Sequence, residues 1–359
     1  MEERKKVLVA MSGGVDSSVA ALLLMKCGYD IMGGTLLLHG GGTVDENGKA
    51  CGTGKDAEDA RAVCEKLGVE HRMFDRRDAF RQNVIGDFVA VYAAGGTPNP
   101  CVRCNRTVKF PEMYAAAKAL GCDMLATGHY AAVRYNEKTG RWQLYRAANK
   151  AKDQSYVLYG LGQELLSHLI LPLGDAEDKS AVRAEAEKAG LVNSRKPDSQ
   201  DICFIPDGDH TAFIERFTGE KEKPCRLVSE NGEFFGMGSG ISAYTVGQRK
   251  GLGITFGEPR FVIEKRAESG EIVVGKSESL FSKTATVGNC NFISVDKLTS
   301  PMRVTAKTRY SQREAEAVIS PLDDGRVLLE FDEPQRAMAR GQSAVFYDGD
   351  AVVGGGIIL

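Results

Sequence analysis

Ser12-Gly13-Gly14-Val15-Asp16-Ser17 lies between an apolar run, residues 7–11, and a helical pattern over residues 15–27. In that pattern Val15, Val19, Leu22, Leu23 and Cys27 fall on one side. A buried strand, a tight glycine loop and a helix form the opening unit of an α/β sheet. Two glycines let backbone N–H groups approach an anion closely, and the helix N-terminus adds its dipole. Ser12 and Ser17 can donate further hydrogen bonds, and Asp16 suits a Mg2+ ion held by phosphates. The alternative is an N-capped turn, since Ser and Asp commonly precede helices. Other glycine-rich stretches fail as nucleotide motifs. Gly52-Thr53-Gly54-Lys55 lacks a leading glycine and is followed by Asp56 where Ser or Thr is required. Residues 251–257 are one residue too long for the dinucleotide fingerprint and read as a turn.

Outward from the loop, strands are expected at residues 31–38, 69–75 and 123–127, and helices at 56–67, 79–94 and 111–120. This alternation predicts a parallel sheet covered by helices on both faces. After about residue 205 the texture changes to short alternating runs at 233–236, 260–265, 272–274, 303–310, 327–331 and 343–347. Those predict one or two small β domains, with boundaries near residues 206–209 and 279–284.

The 359 residues are 43% apolar and 26% charged, which excludes a disordered tail, a collagen-like fibre and a small disulfide scaffold. A formal net charge of −2 gives no global positive field, so any polyanion must be met by local clusters. The 41 glycines, about 11% against a usual 7% or so, suit tight turns and backbone-lined sites. No apolar stretch reaches the roughly 18 residues of a membrane span, and the five apolar residues after the basic N-terminus are too few for a signal-peptide core. A cytoplasmic protein without a membrane partner is expected. Nine cysteines is an odd count, which in that compartment points to buried residues, metal ligands or nucleophiles.

Thr97-Pro98-Asn99-Pro100-Cys101-Val102-Arg103-Cys104-Asn105 combines two stiffening prolines with a Cys-x-x-Cys pair near Arg103 and Arg106, whose charges favour thiolate. No second pair completes a zinc knot. A third cysteine lies in Asp198-Ser199-Gln200-Asp201-Ile202-Cys203-Phe204-Ile205. Cysteines 27, 51, 64, 122, 225 and 290 fit helix or strand interiors. Residues 303–313 carry Arg303, Lys307, Arg309 and Arg313 and no acid. Strand alternation puts Arg303, Thr305, Lys307 and Arg309 on one face, a track for phosphates, with Tyr310 opposite unless the strand ends or bulges there.

The Ser12–Ser17 loop resembles the pyrophosphatase-loop (PP-loop) signature of ATP pyrophosphatases, enzymes that cleave ATP between the α- and β-phosphates and adenylate a substrate. That resemblance implies ATP and Mg2+. With both cysteine segments, residues 7–358 are similar to the bacterial tRNA-specific 2-thiouridylases. Further matching segments are Ala126-Thr127-Gly128-His129-Tyr130, Lys152-Asp153-Gln154-Ser155-Tyr156, Thr245-Val246-Gly247-Gln248-Arg249-Lys250-Gly251-Leu252-Gly253, Lys307-Thr308-Arg309-Tyr310 and Gly341-Gln342-Ser343-Ala344-Val345-Phe346-Tyr347.

The resemblance implies a PP-loop (adenine nucleotide alpha hydrolase-like) parallel-sheet domain at 1–205, a small central β domain at 206–281 and a C-terminal β-barrel that binds tRNA at 282–359. It implies ATP-dependent 2-thiolation of the wobble uridine, position 34, in tRNA for Lys, Glu and Gln. Cys203 would carry sulfur as a persulfide and Cys104 would be the partner nucleophile. Asn99, Pro100 and Cys101 would meet the target base. Ala10, Met11, Ser12, Gly13, Gly14, Val15, Asp16, Ser17, Leu36 and Gly128 would hold ATP. His129, Lys152, Asp153, Gln154, Arg309, Tyr310 and Gln342 would contact tRNA. A persulfide relay protein or a cysteine desulfurase would supply the sulfur.

Many members carry Asp where this chain has Cys101, and a thiol accepts hydrogen bonds less well than a carboxylate. Two arrangements are therefore open. Either Cys104 and Cys203 suffice, or Cys101, Cys104 and Cys203 hold an iron–sulfur cluster, a role that suits soft thiolates. Two rival functions also stand: a PP-loop enzyme adenylating a small molecule, and a non-catalytic tRNA- or metal-binding protein. The first needs neither the basic segment nor three spaced cysteines. The intact loop speaks against the second.

Overall fold

The computed structural model describes residues 4–39, 54–197 and 202–359. Cys51, Gly52, Thr53 and Asp198-Ser199-Gln200-Asp201 lie outside the described residues. A 5-stranded parallel sheet runs in the order His71–Asp75, Asp30–Leu37, Lys6–Ala10, Met124–Thr127, Leu169–Ile170. Lys6–Ala10 is its centre, and Val7, Leu8 and Val9 are fully buried. Alternation sends Leu8 to a core with Phe88, Met113 and Leu125, and Val7 and Val9 to a second core with Val19, Ile31 and Ala126. Burial on both faces is why this strand is apolar throughout. The chain leaves it to pair first on one side and later on the other, so the glycine loop sits where the strand order reverses. Ligands of open α/β sheets bind at that crevice.

The expected helix at residues 79–94 is three pieces, Arg77–Phe80, a π turn at Arg81–Ile85, and Gly86–Ala93. Residues 100–119 repeat the pattern, with a π turn at Asn105–Lys109 between Pro100–Cys104 and Phe110–Ala119. Such wide turns are rare and cluster at functional sites.

A small 4-stranded sheet follows, ordered Phe261–Arg266, Glu271–Gly275, Cys225–Val228, Phe234–Gly238. Beyond it, Phe281–Phe292, Val327–Arg336, Ala315–Pro321, Met302–Lys307, Ser343–Asp348 and Ala351–Ile358 pair in that order. The last pairs back onto the first, closing a barrel and removing its edges. The sequence reading missed several of these strands, and also the hairpin Ala131–Asn136/Arg141–Arg146. That hairpin leaves the first domain and adds to the barrel where Tyr145 faces Ala351.

Three expectations need correction. Cys27 is exposed at the end of its helix, not interior, and Cys122 is buried in a turn. The strand expected over 303–310 stops at Lys307, so Arg309 leaves the face shared by Arg303, Thr305 and Lys307. Residues 251–257 form neither strand nor helix, in line with a turn.

Candidate active site

The glycine loop is held by its own serines. Gly13 has φ +72°, and a Cβ there would overlap the Asp56 carbonyl, so glycine is required twice over. The Ser12 amide donates to Ser17 Oγ at 3.2 Å, while Ser17 Oγ and Ser18 Oγ each donate to the Gly14 carbonyl at 3.0 Å. Asn193, buried behind the loop, donates to Gly13 O and Ser18 Oγ, both at 2.9 Å. Gly14 precedes the helix Val15–Lys26 without a side-chain cap, so the capped-turn alternative is not what forms. Ala10, Met11 and Val15 anchor the loop at both ends, Met11 through a 2.8 Å bond from Thr35 Oγ1 to its carbonyl. Leu36 is buried in the neighbouring strand. Gly128 presses its backbone on the helix start, where a Cβ would come within 2.5 Å of the Ser17 amide nitrogen.

Asp16 is engaged by protein. Lys179 Nζ donates to both of its carboxylate oxygens at 2.6 Å, and the Tyr130 hydroxyl donates to Oδ1 at 2.9 Å. Asp16 is thus held toward the loop by protein donors, and its expected place beside Mg2+ belongs to the proposal below. Lys196 stands on the other side, 2.7 Å from Asp56 and 2.6 Å from Asp59. Burial lowers its pKa, but both carboxylates outweigh that and hold the ammonium above its ordinary value.

The reactive turn is 97–104. Asn99 Oδ1 accepts from the Val102 amide at 3.2 Å, and Pro100 occupies the first helical position, so both prime the helix Pro100–Cys104. Cys101 is exposed and Cys104, one turn on, is 7% exposed. Cys203 is half-buried and packs on the same core as Cys104, beside Phe204, whose ring meets Phe80 and Phe88 edge-on. Arg103 donates to the Asn83 carbonyl at 3.0 Å and faces Asp87, and Arg106 donates to the Asn289 carbonyl at 3.2 Å. Their guanidiniums are thus engaged by other partners than the sequence suggested. Among the described residues no three His, Cys, Asp or Glu side chains form a metal-holding group.

Other domains clamp the entry to this turn. The Thr97 amide donates to the Arg340 carbonyl at 2.7 Å, and Gln342 Nε2 donates to the carbonyls of Thr97 and Pro98 at 3.0 and 3.1 Å. Lys265 from the central sheet donates to the Gly96 carbonyl at 3.2 Å, with its ammonium 5.0 Å from the Tyr92 ring centre. Burial pushes that amine down to about 8.

The residues expected to touch RNA divide into two groups. Tyr310 is 45% exposed, meets Tyr156 edge-on at 5.8 Å, and shares Lys307 with it as a cation–π partner. Lys152 is half-buried, in the turn before Asp153. The others face protein. Asp153 accepts from the amides of Ala147 and Ser155 and from Ser155 Oγ. Gln154 Oε1 accepts from the Tyr130 amide at 2.9 Å. Arg309 donates to the carbonyls of Val246 and Ala337 at 3.0 and 2.8 Å, tying the barrel to the central domain. His129 bonds Thr127 at 2.7 Å, and burial, then Lys109, holds its imidazole well below the ordinary value, hence neutral at pH 7. The basic track is also partly neutralised, because Arg303 is paired with Asp332 and Glu316 from neighbouring strands.

Sequence reasoning missed Tyr130, Lys179, Asn193, Lys196 and Lys265. Only Tyr130 lay in a quoted segment. The rest have no local signature, since each meets the site through tertiary packing.

Family models match the chain in three consecutive blocks: a tRNA methyl transferase HUP domain at residues 5–207, a PRC-barrel domain at 211–276 and an aminomethyltransferase beta-barrel domain at 282–358. The tRNA-specific 2-thiouridylase MnmA of Acetivibrio thermocellus is 48% identical over 359 residues, covering 99% of each chain. That of Clostridioides difficile is 46% identical over 354 residues, covering 99% of this chain and 98% of its own. A solved 4-thiouridine synthetase–RNA complex with bound ATP is 17% identical, covers 60% of this chain and 50% of its own, and superposes with a TM-score of only 0.35. Likeness at this level, unbroken from the glycine loop through the barrel that clamps the reactive turn, places the chain in the tRNA-specific 2-thiouridylase family.

Proposed function

We propose that the chain is an ATP-dependent tRNA 2-sulfurtransferase acting on the wobble uridine, position 34, of tRNA for Lys, Glu and Gln. The observation that carries this reading is the pairing of an uncapped glycine loop at the sheet's switch point with a cysteine turn braced by the barrel. The C2 carbonyl of uracil is urea-like, and its oxygen leaves poorly. Attack of that oxygen on the α-phosphorus of ATP expels pyrophosphate and turns it into the leaving group AMP. The loop at residues 10–17, with Leu36 and Gly128, cradles the phosphates and adenosine, and Mg2+ arrives with the triphosphate.

Sulfur then displaces AMP at C2. Cys203 carries it as a persulfide, and Cys104 attacks the Cys203 sulfur, freeing the terminal sulfur to the base and leaving a Cys104–Cys203 disulfide. An external thiol returns that disulfide to two thiols, and a persulfide relay protein or a cysteine desulfurase reloads Cys203. Asn99, Pro100 and Cys101 face the base. Cys101 is exposed at the helix start and is not needed for this balance. Tyr310 and Lys152 meet the RNA, while Asp153, Gln154, His129, Arg309 and Gln342 act by holding the surface that does.

The domains proposed are 1–205, 206–281 and 282–359. No helix among the described residues is long and apolar enough to cross a membrane; action on tRNA in the cytoplasm is part of the proposal. The test incubates protein, Mg2+ and ATP with and without unmodified tRNA, following pyrophosphate and 2-thiouridine. Pyrophosphate only with tRNA is expected. In Cys203→Ser, pyrophosphate release persists and thiolation is abolished. Pyrophosphate formed equally without tRNA refutes the reading.

A further inference from the structure

We propose that Tyr130 ties the ATP loop to the RNA-facing surface, so that tRNA and ATP bind with a mutual coupling that passes through its hydroxyl. This rests on the proposed function and assigns that site an additional positioning residue. Tyr130 is 2% exposed, and a hydroxyl so buried needs a partner. It takes Asp16 Oδ1 at 2.9 Å, the carboxylate that also receives Lys179. The Lys179 ammonium lies 5.5 Å from the Tyr130 ring centre, so ring, carboxylate and cation form one packed unit beside the loop.

The backbone of Tyr130 is gripped from the other side. Its amide donates to Gln154 Oε1 at 2.9 Å, and its carbonyl accepts from the Gln154 amide at 2.8 Å. That amide belongs to the same peptide unit as the Asp153 carbonyl, which accepts the Tyr310 hydroxyl at 3.1 Å. A peptide unit is planar and stiff, so its two ends tilt together. The Asp153 side chain fixes the pivot through Ala147 and Ser155. When Tyr310 shifts against a nucleotide, the plane turns, and Tyr130 is the residue on its far side. The line runs from the barrel surface to Asp16 in hydrogen bonds of 2.6–3.1 Å.

Coupling is the quantity to read, since a purely structural loss moves each affinity without changing their ratio. The probe is α,β-methylene ATP, which resists cleavage at the reacting bond. Its Kd is measured by equilibrium dialysis with and without unmodified tRNA, on the full chain, for the wild type and Tyr130→Phe. The reciprocal effect of the analogue on tRNA Kd is measured alongside and must give the same factor. A wild-type factor of about fivefold or more is expected, the low end of common couplings. In Tyr130→Phe it falls below about twofold with the melting temperature retained. An undiminished factor in Tyr130→Phe overturns the proposal, as does a wild-type factor of one in a protein that still thiolates tRNA. A wild type that neither binds tRNA nor releases pyrophosphate sinks the functional reading instead, so the two failures are distinct.

Discussion

The glycine loop is closed by neighbours, Ser17 and Ser18 bonding back to Gly14, three and four residues away. The reactive turn is closed by strangers, Gln342 reaching Thr97 across 245 residues of chain and Lys265 reaching Gly96 across 169. A loop of the first kind needs only its strand, its helix and nearby parts of one domain, Asn193 being the most distant residue that bonds it. One of the second kind has its geometry only when three domains are docked. The glycine loop and the cysteine turn are thus set by different parts of the fold.

The sharpest way to break this contrast is Asp16→Asn. It weakens the two bonds from Lys179 beside the loop and removes the carboxylate proposed to reach the Mg2+ that the triphosphate brings. Pyrophosphate release should fall by about a hundredfold or more, the scale of losing one charged contact to a phosphoryl transition state. Alkylation of Cys101 should proceed at the wild-type rate. If alkylation changes as well, the two regions are not separate.

Gln342→Ala is the converse. It removes both side-chain donations to Thr97 and Pro98, each bond being worth about 1 kcal/mol. Thiolation should drop by about tenfold while the Kd for α,β-methylene ATP stays put. A shift in that Kd would show that the barrel also shapes the ATP loop.

Lys265 sharpens the comparison through pH. Burial brings its amine to about 8 in the fold against an ordinary 10.5. Between those values the unfolded chain binds the proton and the folded chain does not, so stability rises with pH across that window. Below about pH 8 both states carry the charge and the slope vanishes. The rise amounts to at most about 3 kcal/mol, at 1.36 kcal/mol per unit. Glu222 and Cys225 oppose burial, and about 8 is the net of all three. Lys265→Met should lose this rise in urea melts at pH 8 and 10, and a slope equal to wild type would show that the lysine is not the source.

The smallest expected effect is on the basic strand. Lys307→Ala should reduce the slope of log K against log salt for tRNA by about one, the contribution of one phosphate contact. Arg303→Ala should leave it almost unchanged, because Asp332 and Glu316 already hold that guanidinium.

These contrasts also explain what the sequence could disclose. The strand, loop and helix at residues 6–26 were readable because burial on both faces gives a run of apolar residues and the loop is local. The strand at 302–307 was readable as a strand but not as a charge. Its neutralising acids sit on separate strands, and a linear reading of residues 303–313 sees only cations. Alternation alone puts Arg309 on the face of Lys307; an end or bulge of the strand near Tyr310 was expected only because the resemblance gives both Arg309 and Tyr310 to tRNA, and the strand does end at Lys307. The hairpin at 131–146 was lost for a related reason. Its alternation is polar, with Trp142 and Tyr145 only partly covered, and its pairing partner lies in the barrel. Gln154 and Gln342 were flagged by resemblance, yet their inward roles depend on a backbone amide and on backbone carbonyls that no residue type reveals.

The clamp from Gln342 onto Thr97 has a consequence for the ribosome. At synthesis rates of roughly 5–20 residues per second, Gln342 emerges about ten to fifty seconds after Thr97. Through that interval the nascent chain carries a cysteine pair whose approach is unbraced, while the glycine loop waits only for Asn193. The cysteine turn gains its full bracing only as the last strands fold, well after the last residue that holds the glycine loop has emerged.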